Sequence, residues 1–205
     1  MAAVSTADLS DAAGRPIAMD ARIRPVWRGA RVAGPAFTVR TPPGRHPSVR
    51  HAAETAPAGS VIVVDAAGLL ERALWGDRMA ALAQERGVAG IVLDGAVRDV
   101  EEIERLGFPV FAAGIVPTPP LRDGEGEHGV EITCGSLRVS PGDWIYGDAD
   151  GVKLPGGGAR LRRAQPAGSG PACPDRAAGR AYPWNYSSNE LLPGRAPRGA
   201  LRRVG

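Results

Sequence analysis

Three short apolar runs constrain the fold of this chain most strongly: GSVIVVD (59–65), GIVLDG (90–95) and PVFAAG (109–114). Each is too short and too continuously apolar for an amphipathic surface helix, and reads as a strand buried on both faces. Between the first two, residues 76–86 read as a helix, with Trp75, Met79, Leu82 and Ala83 spaced along one face and Gly87 as its stop. Between the second and third, residues 100–106 form a shorter helical segment ended by Gly107. Strands alternating with helices predict an α/β fold with a parallel sheet covered by helices. Loops at the carboxyl ends of such strands gather at one edge, where α/β proteins place their ligands.

Upstream, residues 6–13 are expected as a short helix. The segment ARVAGPAFTVRT (30–41) reads as a strand bent, or placed at an edge, by Gly34-Pro35. A helix over 48–54 follows the PPGRHP turn. Downstream, residues 130–155 show short runs punctuated by Cys-Gly, Pro-Gly-Asp and Asp-Ala-Asp-Gly, which predicts an antiparallel β extension. Residues 155–205 carry seven Pro, nine Gly and nine Arg, too many breakers for a packed core. The expected organisation is therefore one domain over 1–154 and a poorly ordered Pro/Gly/Arg-rich tail over 155–205.

Apolar content of 43% supports a core, and an aromatic content of 5% means Val, Ala, Leu and Ile must fill it. The net charge of +3 misleads, because the tail holds nine Arg against Asp175 and Glu190, leaving the body at −4. A mildly acidic body gives no reason to expect nucleic-acid binding. The first residues lack a basic region followed by an apolar run, and nothing approaches the ~20 apolar residues a bilayer span requires. A cytoplasmic protein without membrane association is expected. Cys134 and Cys173 fit neither a disulfide framework nor a zinc pattern, so Cys134, inside an expected strand, is expected as a buried thiol.

The chemistry-bearing residues lie in WGDRMAALAQERGVAGIVLDGAVRD, from Trp75 to Asp99. Asp77 opens the helix, and 20 residues separate it from the adjacent Arg98 and Asp99. A helix start and a strand end can meet at one edge of an α/β layer. Free amides in the first helical turn, here those of Arg78 and Met79, hold carboxylates or phosphates, and Gly76 admits a ligand close to the backbone. Arg98 can bind a carboxylate or enolate oxygen through its guanidinium fork. Asp99 offers hard oxygens suited to magnesium or manganese. Bland readings stand beside these. Asp77 also favours a helix start electrostatically, and Asp99 with Glu102 satisfies a D-x-x-E capping pattern. Asp94-Gly95 is expected as the turn that aims Arg98 and Asp99. His46 and His51 could reach the site as weaker candidates, but lone histidines on a loop and a helix surface are more often solvated.

GDRMA, the interval of 20 residues, and GVAGIVLDGAVRD followed by LGFPVFAAGIVPTPP closely resemble the RraA-like family. Within it they resemble the 4-hydroxy-4-methyl-2-oxoglutarate aldolases, which also decarboxylate oxaloacetate. PGDWIYGDADGV resembles that family's usual end of the core, so the resemblance spans about residues 5–154. It implies a swivelling β/β/α fold in a single domain, assembled as a homotrimer or hexamer with pockets at subunit interfaces. It implies a class II aldolase acting on a small 2-keto acid, with Asp99 as ligand of Mg2+ or Mn2+ and waters completing the shell. Arg98 would bind the keto or enolate oxygen of the pyruvyl unit. The amides of Arg78 and Met79, beside Gly76, would hold its carboxylate, and Asp77 would move protons through a water on or near the metal.

Cleavage of a 4-hydroxy-2-keto acid and decarboxylation of oxaloacetate pass through the same pyruvate enolate, so one site can serve both. No Schiff base is implied, since the chain's only lysine, Lys153, lies outside the motif. Two departures stand out. PGGGARLRRAQPAGSG replaces the family's usual charged helix after the core, and Asp77 stands where Glu is frequent. The rival is a non-catalytic regulator like the family members that bind ribonuclease E. Those tend to lose the acid after the arginine, and this chain keeps Asp99. An inactive member is the third alternative.

Overall fold

The computed structural model describes residues 5–13 and 18–154. The expected tail over 155–205 lies outside the described residues. In chain order the elements are α1 (Thr6–Ala13), β1 (Arg24–Pro25), β2 (Val32–Arg40), α2 (Pro47–Thr55), β3 (Val61–Asp65), β4 (Ala73–Trp75) and α3 (Asp77–Glu85). They continue with β5 (Gly90–Val97), α4 (Val100–Leu106), β6 (Val110–Ile115), β7 (Glu127–His128), β8 (Ile132–Cys134), β9 (Leu137–Val139), β10 (Trp144–Asp148) and β11 (Gly151–Lys153). Among the described residues no helix is long and apolar enough to cross a membrane.

The predicted parallel sheet is present. Its main strand order is β1-β6-β5-β3-β2-β10-β11, with β4 added to β5 and β7 to β2. The pairs β2–β3, β3–β5, β5–β6 and β4–β5 are parallel, whereas β1, β7, β10 and β11 join antiparallel. The sheet curls until it nearly closes: Arg24 at one edge donates through Nη1 to the Asp150 carbonyl beside the other edge, at 2.9 Å. The C-terminal β extension is antiparallel as predicted, and β8 and β9 form a separate two-stranded sheet.

Both faces of the sheet are covered, which explains the continuous apolar runs. Along β3, Ile62 and Val64 face a core shared with Ala52 and Ala53 of α2 and Ala80 and Ala83 of α3. Val61 and Val63 alternate onto the opposite face, packed with Phe111, Ile132 and Ile145 inside the curl. Every residue of β5 is buried. Cys134 is buried as expected, and that burial, reinforced by the Asp94 and Asp65 carboxylates, pushes its thiol well above the usual range.

Three local expectations are corrected. Gly34-Pro35 does not break β2. The strand runs through it while changing partners, residues 32–35 pairing with β10 and residues 36–40 with β3. Pro35, which has no N–H, sits where the parallel ladder has not yet begun. Asp94-Gly95 is not a turn but lies inside β5, at a register shift between Leu93 and Ala96. Asp94 is tolerated there because Arg22 Nη2 and the Gly135 amide both donate to its carboxylate, at 2.8 and 3.0 Å. Trp75 is not on the helix face. It ends β4, is 1% exposed, and stacks on Phe108 with ring centroids 6.1 Å apart.

Candidate active site

Strand β4 is what closes the gap between residue 77 and residue 98. It lies parallel to β5, with Ala73 opposite Ala96 and Trp75 opposite Val97. The next residues along the two strands are therefore Gly76 and Arg98, neighbours in space despite their sequence separation. The ladder continues one step further, as the Arg98 amide donates to the Trp75 carbonyl at 3.0 Å.

From that junction both α3 and α4 begin, and they cover the same face of the sheet, with Ala80, Ala83 and Ile103 in one core. Gly76 caps α3 without a side-chain bond, and Asp77 is its first residue, so its first-turn amides are free of side-chain capping. Gly76 is extended, and its lack of a side chain matters for space. A Cβ there would sit 2.5 Å from Asp99 Oδ2 and 3.4 Å from Arg98 Cγ.

Asp99 adopts a left-handed backbone, φ 57° and ψ 40°, and makes no side-chain capping bond to α4. The capping pattern offered by Asp99 and Glu102 is thus not realised; Glu102 pairs with Arg105 instead, at 3.2 Å. Asp99 Oδ2 lies 3.2 Å from Arg98 Nε, both side chains being partly exposed. A carboxylate held in strained backbone and turned away from capping is the type of outlier that marks a working site.

Asp77, Arg78, Met79, Gly76, Arg98 and Asp99 all line one cleft of about 560 Å³. Every predicted site residue is therefore brought to the same cavity. Four arginines, Arg50, Arg78, Arg98 and Arg122, face three carboxylates, Glu54, Asp77 and Asp99, so the cleft favours anions although the body is mildly acidic. Lys153 does not line it. That residue is buried elsewhere, its Nζ donating to Ser10 Oγ at 2.9 Å.

Among the described residues, no three His, Cys, Asp or Glu side chains converge as an all-protein metal cage would require. Asp99, with Asp77 in the same cleft, could hold only a hard cation that keeps waters and accepts substrate oxygens, as Mg2+ does. The residues present fit that kind of ion.

His46, a weaker candidate from the sequence, lines the cleft, as do Arg50 and Arg122, which the sequence does not single out. Pro119 and Pro120 reach it because the Ala73 amide of β4 donates to the Thr118 carbonyl at 2.9 Å and Arg72 Nη1 to that of Pro119 at 2.9 Å. No periodicity or spacing marks such contacts. His46 is half-buried at the start of α2 and is not a solvated loop histidine, whereas His51 is exposed as expected.

Comparison with known proteins places the fold in a family. A relative from Halalkalibacterium halodurans, provisionally named a 4-hydroxy-4-methyl-2-oxoglutarate aldolase, is 38% identical over 151 residues, covering 74% of this chain and 72% of the relative. One of the same provisional name from Burkholderia multivorans is 39% identical over 154 residues, covering 72% and 93%. The solved structure of the RNA-processing inhibitor RraA from Thermus thermophilis superposes with a TM-score of 0.69 at 34% identity, covering 78% of this chain and 98% of that one. Since the family model described as Aldolase/RraA matches residues 6–153, nearly all of the described domain, the chain belongs to the RraA-like family.

Proposed function

We propose that this chain is a divalent-metal-dependent carbon–carbon lyase. It cleaves 4-hydroxy-4-methyl-2-oxoglutarate, or a related 4-hydroxy-2-keto diacid, to pyruvate, and decarboxylates oxaloacetate in the same cleft. The observation that carries this reading is the packing of Arg98 and Asp99 against Gly76 at the start of α3. It puts an anion-binding helix start, a guanidinium and an uncapped carboxylate side by side.

The free amides of Arg78 and Met79 bind the C1 carboxylate of the keto acid. Arg98 donates to the C2 oxygen, whose negative charge grows as the enolate forms, and a preorganised donor there is worth about 10²- to 10³-fold in rate. Asp99, with water, would hold Mg2+ or Mn2+, which as a Lewis acid supplies further stabilisation of that same oxygen. Asp77, half-buried at the helix start, takes part in proton transfer through water. A homotrimer or hexamer, with the cleft completed by a neighbouring subunit, is the assembly we expect.

Pyruvate formation from both compounds, measured with Mg2+ and then with a chelator, tests the reading. Activity that disappears on chelation and falls at least about 10²-fold in Arg98→Ala is the expected result. Pure protein that releases no pyruvate from either compound, yet binds ribonuclease E, would replace it with the regulator.

A further inference from the structure

A 4-hydroxy-2-keto diacid carries two carboxylates, and the groups assigned so far meet only one of them. The start of α3 takes the C1 carboxylate and Arg98 the C2 oxygen. The carboxylate at the far end loses hydration on entering the cleft and needs a charged donor in exchange.

The four arginines of the cleft differ in what already occupies them. Arg98 is paired with Asp99 at 3.2 Å, and Arg50 donates through Nε to Glu54 at 2.9 Å. Arg78 also lines a second groove, between α3 and α4, where the Asp77 and Glu102 carboxylates are available to it. Arg122 is uncommitted. Its exposed side chain makes no hydrogen bond or ion pair among the described residues. The acid next to it, Asp123, is engaged by Arg45 Nε at 3.6 Å.

The loop that carries Arg122 starts beside the charged pair and ends at α2. The Val116 amide donates to the Val97 carbonyl at 2.9 Å, one residue before Arg98. The Ala73–Thr118 bond then ties the loop to β4, three residues before Gly76. At its far end the Leu121 amide donates to the Gly44 carbonyl at 2.8 Å, and the Leu121 carbonyl accepts the His46 amide at 3.2 Å. His46 Nδ1 donates to the same carbonyl at 3.1 Å. Arg122 therefore extends from an anchored backbone at the α2 end of the cleft, away from the end where Arg98 sits. Its guanidinium fork matches a carboxylate with two parallel bonds.

We propose that Arg122 binds the distal carboxylate of the substrate and makes the chain selective for 2-keto diacids over 2-keto monoacids. The proposal rests on the lyase reading for the placement of the keto-acid end. Held at both ends, a diacid presents its C3–C4 bond in one orientation, whereas a monoacid is held at one end only.

Two compounds test this by binding alone. 2-Oxoglutarate and 2-oxopentanoate share a five-carbon chain and differ at C5, carboxylate against methyl. Neither has a C4 hydroxyl to cleave. Each is titrated calorimetrically into the full chain with Mg2+. Wild-type protein is expected to bind 2-oxoglutarate at least about tenfold more tightly, the strength of a charged bidentate contact. Arg122→Gln is expected to bring the ratio close to one, and Arg122→Lys to keep part of it. Arg50→Gln, which removes equal charge from the same cleft, should change the ratio by less than about threefold. Wild-type protein without a preference, or a preference that survives Arg122→Gln, overturns the proposal. So does an equal loss in Arg50→Gln, which would trace the preference to the general field of the cleft. A chain that shows the Arg122-dependent preference yet releases no pyruvate in the assay above loses the lyase reading and keeps Arg122 as a diacid anchor. A chain that binds neither compound loses this proposal, while the pyruvate assay still decides the lyase reading.

Discussion

The Arg98 amide donates to the Trp75 carbonyl at 3.0 Å, one step past the point where β4 and β5 cease to be paired strands. This single bond sets the backbones of Gly76 and Arg98 side by side, and with them a helix start and a charged pair. The cleft depends on that junction more than on any one side chain.

Gly76→Ala tests the junction. The added methyl would lie 2.5 Å from Asp99 Oδ2, so the carboxylate and Arg98 must shift. Misplacing reacting groups by about 1 Å can cost about 10²-fold in rate. We predict a kcat/KM loss of about that size, measured by pyruvate release, with the far-UV spectrum unchanged.

Asp99→Asn separates charge from backbone. Asn tolerates the left-handed conformation as Asp does, so the melting temperature should move by no more than about 2 °C while activity and divalent-cation binding are lost. Asp99→Val should also unfold more easily, by about 1–3 kcal/mol, because a β-branched residue at φ 57° is strained. Thermal denaturation of the two variants side by side makes the comparison.

Arg98→Lys keeps the charge but loses the fork and its reach to Asp99. A fall of about tenfold or more in kcat, with a smaller change in KM, is predicted for pyruvate formation, since the contact strengthens as the enolate forms.

Stability should depend on acid through Asp148. Burial pushes its carboxyl up, but the Thr6 hydroxyl and amide, at 2.6 and 2.8 Å, and the Asp150 amide, at 3.0 Å, outweigh it and hold the carboxyl below the usual range. A depressed folded value means the stabilisation is full above the ordinary Asp value of about 3.9 and is lost as pH falls through the folded value. Asp148→Asn should therefore cost about 1–3 kcal/mol in urea unfolding at pH 7. The gap to wild type should close toward pH 2, and a gap that persists there would show the bonds to α1 do not depend on the carboxylate.

Much of this architecture was legible in the sequence because burial leaves a pattern. The runs 59–65, 90–95 and 109–114 became β3, β5 and β6, and residues 6–13 and 100–106 became α1 and α4 as read. What escaped is non-local. A three-residue strand such as β4 has no periodicity of its own, so Trp75 reads from sequence as part of the helix that follows it. Asp94 reads as a turn acid until Arg22 and the Gly135 amide appear as its partners. The charged residues of the site were legible because helix starts and strand ends carry local signals. Arg50 and Arg122 were not, because they arrive through α2 and the loop after β6, which no spacing rule connects to residue 77.

The central claim is that the Asp99 carboxylate and the start of α3 together hold a divalent cation and a 2-keto acid. A crystal of the full chain soaked with Mn2+ and oxalate, a mimic of the pyruvate enolate, tests it by anomalous diffraction. The account predicts a manganese peak at the Asp99 carboxylate, with oxalate spanning the metal, Arg98 and the amides of Arg78 and Met79. A peak at other residues, or oxalate bound away from the start of α3, would contradict it.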